Sequence, residues 1–206
     1  SVGREVIRAL IERPDSLAPS GGRRLELVAV AVRDIGPHLD RGIPAHLLTD
    51  APAHLVASPD VDIVVELMGG DEPAHTLIAA ALSVGKPVVT ANKHVLAHHG
   101  PELEAAVRRS GAPFRFEAAV GGGIPVLAPL AFDLAANRID RIRGIVNGTS
   151  NYILTSMSRG DCPYDRALAD AQASGYAEAD PTGDVEGDDA VNKVVILARL
   201  AYGAWI

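Results

Sequence analysis

Between residues 25 and 118 the chain returns four times to a short apolar run, and the gaps between returns leave room for a crossover. The runs are Leu25–Val32, Asp62–Leu67, Lys86–Thr90 and Phe114–Ala118. Each is short and rich in Val or Phe, so each reads as a strand. The first is apolar at nearly every position, which predicts burial on both faces before Arg33-Asp34 closes it. A helix is expected over roughly the first dozen residues, where Arg4–Ile11 has an amphipathic period. Two further helical segments are Pro73–Val84, stopped by Gly85, and Lys93–Ser110. Parallel neighbours need crossover connections, so this alternation predicts an α/β fold with a doubly wound parallel sheet. Pro14–Gly22 reads as a polar loop. Ile35–Pro59, with repeated Pro, Gly and His, reads as loop with short helical pieces.

The rhythm changes after Val120. Gly121-Gly122-Gly123 precedes Ile124-Pro125, and Pro125 is placed to open a helix. Ile139–Val146 reads as a strand and Asn147–Asn151 as a turn into another helix. Two more helices, near Tyr164–Ser174 and Asp188–Ala201, flank a loop crowded with acids. The expected division is therefore residues 1–120, an α/β domain, and residues 121–206, an α+β domain. The chain begins in a helix with no strand before it and stops on Trp205-Ile206, as expected of a piece of a longer protein.

Composition narrows the function. A net charge of −7, with no Lys/Arg-rich run, argues against nucleic acid as partner. With 4% aromatic residues, stacking platforms are scarce. The single cysteine, Cys162, excludes an intrachain disulfide and fits a reducing compartment. Neither a membrane-length apolar run nor a signal-peptide pattern occurs, so a cytoplasmic location is expected.

The acidic loop is the richest stretch. Glu178, Asp180, Asp184, Glu186, Asp188 and Asp189 crowd a Gly/Pro-rich segment, and Lys193 follows. A helix beginning near Asp188 puts Asp189 and Lys193 at i and i+4 on one face. Such a pair can tune an acid/base group, although by spacing alone ordinary decoration of a helix start is the commoner reason for it. The D-x-D-x-D-G spacing of a calcium loop is missing. The seven histidines lack metal spacing and are expected at the surface. Cys162, in the polar Arg159–Pro163 turn, has no histidine nearby and makes a poor nucleophile.

A Rossmann-like sheet of the expected kind receives ligands at the carboxyl ends of its strands. Of a G-x-G-x-x-G fingerprint only Gly3 could be present, as its last glycine or as an ordinary helix-start residue. Arg33 stands where an acidic residue would bind the ribose of NAD; an arginine there suits the 2′-phosphate of NADP, and Asp34 follows directly. Met68-Gly69-Gly70 offers backbone that a flat ring could approach closely. Thr90-Ala91-Asn92-Lys93 brings a lysine to the next strand end.

Taken together, these segments resemble the homoserine dehydrogenase family over essentially all 206 residues. The motifs, in order, are Glu66-Leu67-Met68-Gly69-Gly70, Thr90-Ala91-Asn92-Lys93, Glu117–Pro125, Gly144–Leu154 and Gly175–Lys193. The resemblance implies NAD(P)-dependent interconversion of L-homoserine and L-aspartate 4-semialdehyde, on the route to threonine and methionine. It implies that Lys193 is the acid/base and Lys93 a second catalytic or cofactor-proximal lysine. Glu178 and Asp189 are then substrate ligands, Asp184 shapes the site, and Gly175 lies close to the cofactor. It further implies a sodium ion on oxygens of the segment holding Glu117, Val120, Gly122 and Ile124, and a homodimer built from the catalytic domain.

A protonated lysine is a poor base. The role therefore requires that burial and repulsion from Lys93 prevail over the attraction of Asp189, which favours oxidation at alkaline pH. The family's first strand and first two fingerprint glycines would precede Ser1, and more chain would follow Ile206. The 206 residues alone are therefore expected to be weakly active or inactive. Two other readings compete. Aspartate-semialdehyde dehydrogenase chemistry needs a buried cysteine, which Cys162 does not supply. A non-catalytic nucleotide-binding or assembly module would not need the two lysines and two substrate carboxylates.

Overall fold

A computed structural model of the chain describes residues 2–18, 22–160 and 162–206. The expected loop at Pro14–Gly22 and the turn around Cys162 lie partly outside them. The chain divides into two compact units, Ser1–Asn92 with Pro101–Arg115, and Lys93–Gly100 with Phe116–Ile206.

The first unit holds α1 (Val2–Glu12), β1 (Val30–Ala31), α2 (Gly36–Leu39), β2 (Leu48–Thr49), α3 (Pro52–Ala57), β3 (Val64–Glu66), α4 (Ala74–Ser83), β4 (Val88–Thr90) and β5 (Phe114–Arg115). It also includes the second half of α5 (Lys93–Ser110). Among the described residues all pairings are parallel: β1 with β2, and β3-β4-β5 in that order, with Glu66 opposite Thr90. The helices pack by period. Ala74, Leu77, Ile78, Ala81 and Leu82 of α4 are buried, a stripe at i, i+3, i+4, i+7 and i+8. Ile78 and Leu82 are fully enclosed, each stabilising the unit by about 1.5–3 kcal/mol relative to exposure.

Several expectations are corrected here. Leu25–Val32 forms only the two-residue β1, and none of its residues is buried. Among the described residues its one ladder neighbour, β2, is itself two residues long, and Leu48-Thr49 carries too little pattern to read as a strand. The strand at 62–67 shortens to Val64–Glu66, and its valines are not the buried residues; Glu66 is. Among the described residues β3 is the edge of its sheet, so only one side gains a ladder partner. The run at 114–118 is paired only at Phe114-Arg115 and then tightens into a 3₁₀ turn at Glu117–Ala119. His75 is no surface histidine: it is half-buried, with Nδ1 3.2 Å from Glu72 and Nε2 3.3 Å from Glu102.

The second unit is helical among its described residues. After the first turns of α5 come α6 (Gly148–Gly160), α7 (Tyr164–Ala173), α8 (Thr182–Val185) and α9 (Asp188–Tyr202). Ile153, Ala167, Ala171 and Ala177 form a small core, with Tyr152, Cys162, Leu168 and Val185 packed against it. The strand expected at Ile139–Val146 finds no ladder partner and does not form. Pro125 does not open a helix either. A helical turn begins two residues later and runs into the π-turn Pro129–Asp133, because Glu117 supplies its cap from a distance.

Candidate active site

The second unit concentrates its charge at the start of α9. Gly187, at φ +92°, makes the left-handed turn that admits the helix, a conformation costly for any residue with a Cβ. Asp188 and Asp189 then occupy the first turn, where the helix dipole favours acids. The same preference is violated at α5, whose first residue is Lys93. The two helix starts explain each other. Lys93 Nζ lies 3.1 Å from Asp189 Oδ1, and Lys193 Nζ donates to Asp189 Oδ2 at 2.6 Å. Lys193 also donates to the carbonyl of Val146.

One carboxylate thus holds two ammonium groups, one on each oxygen. Asp189 and Lys193 are 15% and 17% exposed and Lys93 36%. Burial pushes the Asp189 carboxyl up, but hydrogen bonds from Lys193, Asn147 and Lys93 outweigh it and hold the group below the usual carboxylate range.

Asn147 ties this cluster to the acidic loop. It is the N-cap of α6: its Oδ1 accepts the Ser150 N–H at 2.7 Å. That fixes the amide, and Nδ2 donates one hydrogen to Asp184 Oδ1 (2.7 Å) and the other to Asp189 Oδ2 (2.9 Å). Thr149 Oγ1 stands 2.8 Å from Asp184 Oδ2 and 2.6 Å from the Tyr176 carbonyl, one proton for two acceptors. Ser150 Oγ donates to the Asp184 carbonyl. Asp184 is therefore latched to the start of α6 through both side chain and main chain. Next to it, Gly175, Tyr176, Glu178, Asp180, Gly183 and Asp184 line a cavity of about 380 Å³. Glu178 is exposed there.

In the first unit, the ends of β3 and β4 come together. Thr90 is buried and donates to Glu66, while Met68, Gly69 and Gly70 are exposed beyond the end of β3. A Cβ on Gly3, in the first turn of α1, would stand 4.0 Å from the Leu67 Cβ, an ordinary contact. Arg33 is exposed just past β1.

The glycine segment is organised by Glu117. Its carboxylate accepts the N–H groups of Val126 (2.8 Å), Leu127 (3.0 Å) and Ala128 (2.7 Å), three of the donors a helix start leaves without partners. Gly121 and Gly122 both take positive φ, and Ile124 N–H closes the turn on the Gly121 carbonyl.

Comparison with known proteins bears on this geometry. Residues 1–117 match the family model described as the homoserine dehydrogenase NAD binding domain, and residues 125–206 match that of homoserine dehydrogenase. The chain belongs to the homoserine dehydrogenase family. Over 202 residues it is 50% identical to the homoserine dehydrogenase of Mycobacterium tuberculosis H37Rv, covering 98% of this chain and 45% of that protein. For the Bacillus subtilis enzyme the identity is 42%, covering 98% and 47%. The chain therefore spans about half the length of these relatives. A homoserine dehydrogenase from Thiobacillus denitrificans superposes with a TM-score of 0.85 at 45% identity, over 96% of this chain and 46% of that one. A hyperthermophilic archaeal homoserine dehydrogenase in complex with NADPH gives 0.82 at 30% identity, over 96% and 66%.

Two residues with central positions, Asn147 and Glu66, carry no site role in the motifs. Asn147 was legible as an N-cap, and a cap whose oxygen is engaged leaves an amide nitrogen in search of acceptors. Glu66 carried no comparable signal.

Proposed function

We propose that the protein from which this chain comes interconverts L-homoserine and L-aspartate 4-semialdehyde with NADP or NAD. The observation that carries the reading is Asp189 bridging Lys93 and Lys193 in a chain of this family. Lys193 takes the hydroxyl proton of the alcohol in oxidation and returns it to the developing alkoxide in reduction. To accept that proton Lys193 must first be neutral; with Lys93 charged and sharing Asp189, the cluster is then neutral overall and gains one positive charge as the proton arrives. Glu178, exposed beside the cavity, receives the substrate ammonium; Asp189 and Asp184 complete the substrate contacts.

The nicotinamide cofactor, when bound, accepts or returns the hydride. Gly3, Arg33, Met68, Gly69 and Gly70 would hold it, together with Lys93 and Gly175, and Thr90, buried beneath the loop, would support it through Glu66. The exposed glycine backbone beyond β3 suits a flat group, and Arg33 suits a 2′-phosphate. A sodium ion is assigned to the main-chain oxygens of Glu117, Val120, Gly122 and Ile124. The Glu117 carboxylate is committed to three N–H groups, and neutral carbonyls are a donor set that hard cations accept. Cofactor binding is assigned chiefly to 1–120 and catalysis chiefly to 121–206, divided at the triple glycine, with Lys93 joining the second unit. A cytoplasmic homodimer completes the proposal; no described helix is long and apolar enough to cross a membrane.

The test is NADPH formation from L-homoserine and NADP⁺ by the full-length parent and its Lys193→Ala variant. Turnover falling by about 10²–10⁴-fold in the variant is expected for loss of a general acid/base. Turnover that survives moves the proton-transfer duty to Lys93. Cofactor binding without turnover in the parent points instead to a non-catalytic module.

A further inference from the structure

We propose that Glu66 is a positioning residue for the cofactor, its buried carboxyl group fixing the Met68-Gly69-Gly70 backbone against Thr90. This rests on the cofactor reading above. β3 is built in an unusual way: it buries its one charged residue, Glu66 at 4% exposure, and leaves Val65 46% exposed. Burying a carboxyl group in preference to a valine is costly unless hydrogen bonds compensate.

Here they do, through neutral donors. Oε1 accepts the N–H groups of Met68 (2.7 Å) and Gly69 (3.2 Å), and Oε2 accepts the Thr90 hydroxyl at 2.5 Å. Thr90 Oγ1 in turn accepts the Asn92 N–H (2.9 Å), and Asn92 Nδ2 donates to the Gly70 carbonyl (2.9 Å). The chain of bonds leaves β3, crosses to β4 and returns to the loop. Gly69 and Gly70 are both left-handed, at φ +74° and +71°, and no atom lies within 4 Å of where a Cβ on either would stand. The loop is therefore shaped from beneath by Glu66 and open above, at the strand ends where an α/β sheet binds ligands. Glu66 acts through this backbone and touches no reacting atom.

The experiment compares full-length wild type, Glu66→Ala and Glu66→Gln. NADPH affinity is measured by fluorescence, steady-state constants by turnover, and amide protection by hydrogen exchange. Glu66→Ala is expected to weaken NADPH binding about tenfold or more, since two loop amides lose their acceptor. Its cofactor KM rises in step, while kcat at saturating cofactor stays within about threefold, as for loss of binding shared by ground and transition states. Glu66→Gln, which keeps one oxygen for both amides, is expected to stay within about threefold of wild type. In Glu66→Ala the Met68 and Gly69 amides lose protection, whereas those of Val64 and Val88, bonded to Pro87 and Pro113, keep it. Unchanged NADPH affinity in Glu66→Ala overturns the proposal. Loss of protection at Val64 and Val88 overturns it too, by making Glu66 a support of the whole sheet. If wild type itself fails to bind NADPH, the cofactor reading falls and takes this one with it.

Discussion

Asp189 and Glu66 are both carboxyl groups enclosed by hydrogen bonds, yet their surroundings differ in kind. Asp189 faces two ammonium groups and the amide of Asn147, and keeps a partial opening to solvent. Glu66 faces two backbone amides and a hydroxyl, deeper in its unit. A group surrounded by titratable partners can follow a proton; a group surrounded by neutral donors can only hold a shape. The contrast separates the part of the molecule suited to proton transfer from the part suited to ligand placement.

The sharpest way to break the contrast is Asp189→Ala. It leaves two lysines facing each other without a counter-ion, and turnover of the full-length enzyme should fall about 10²-fold or more. Stability should fall by about 2 kcal/mol after allowance for solvent screening. If a urea titration shows the stability loss while kcat is retained, Asp189 only holds a shape and the contrast with Glu66 collapses. Next in size, Glu117→Ala deprives three backbone N–H groups of their acceptor and should cost about 2 kcal/mol in the same titration. Its effect on kcat should be smaller than that of Asp189→Ala, because no lysine depends on it.

Asn147→Ala should cost about 1 kcal/mol, from the lost cap and the two lost bonds to Asp184 and Asp189. Its signature is a raised KM for the amino-acid substrate. An unchanged KM would detach the acidic loop from substrate binding.

Acid provides a further comparison. The Asp189 carboxyl titrates lower in the folded chain than in the unfolded one, so the folded state binds fewer protons. Its contribution is complete above the ordinary carboxylate value of about 3.9 and is lost as pH falls through the depressed folded value. Asp189→Asn should therefore flatten the acid limb of the stability curve, with urea midpoints compared from about pH 5 downward. The smallest effect is expected at Val191, which is exposed on α9: Val191→Lys should change stability by less than about 0.5 kcal/mol.

Legibility followed the range of the interactions. α5 runs from Lys93 to Ser110, as the pattern predicts, and α9 begins at Asp188, because helices declare themselves through local period and end signals. Strands were over-read. Leu25–Val32 and Ile139–Val146 have the right composition, but a strand exists only where another offers a ladder, and composition does not reveal the neighbour. The same limit applies to the candidate site. Asp189 and Lys193 stand four residues apart and meet as spacing predicts, whereas Asn147 reaches Asp189 across 42 residues and Thr90 reaches Glu66 across 24. Neither bond leaves a periodic trace. The α8 turn was missed for a related reason: its residues, Thr-Gly-Asp-Val, carry no helix preference, and Asp180 stabilises it by accepting the Thr182 hydroxyl and amide.

The crowding of acids between residues 178 and 189 has an effect beyond any single contact. Six carboxylates stand there against Lys93 and Lys193, and six minus two leaves an excess of four negative charges. Such a field reaches about 8 Å into solution at physiological ionic strength and farther in dilute buffer. Molecules are thus sorted by charge before they touch the protein: cationic ends are drawn in and turned towards the loop, while anions approach more slowly. Added salt erases this sorting first, because the ion pairs on Asp189, being half-enclosed, are screened much less.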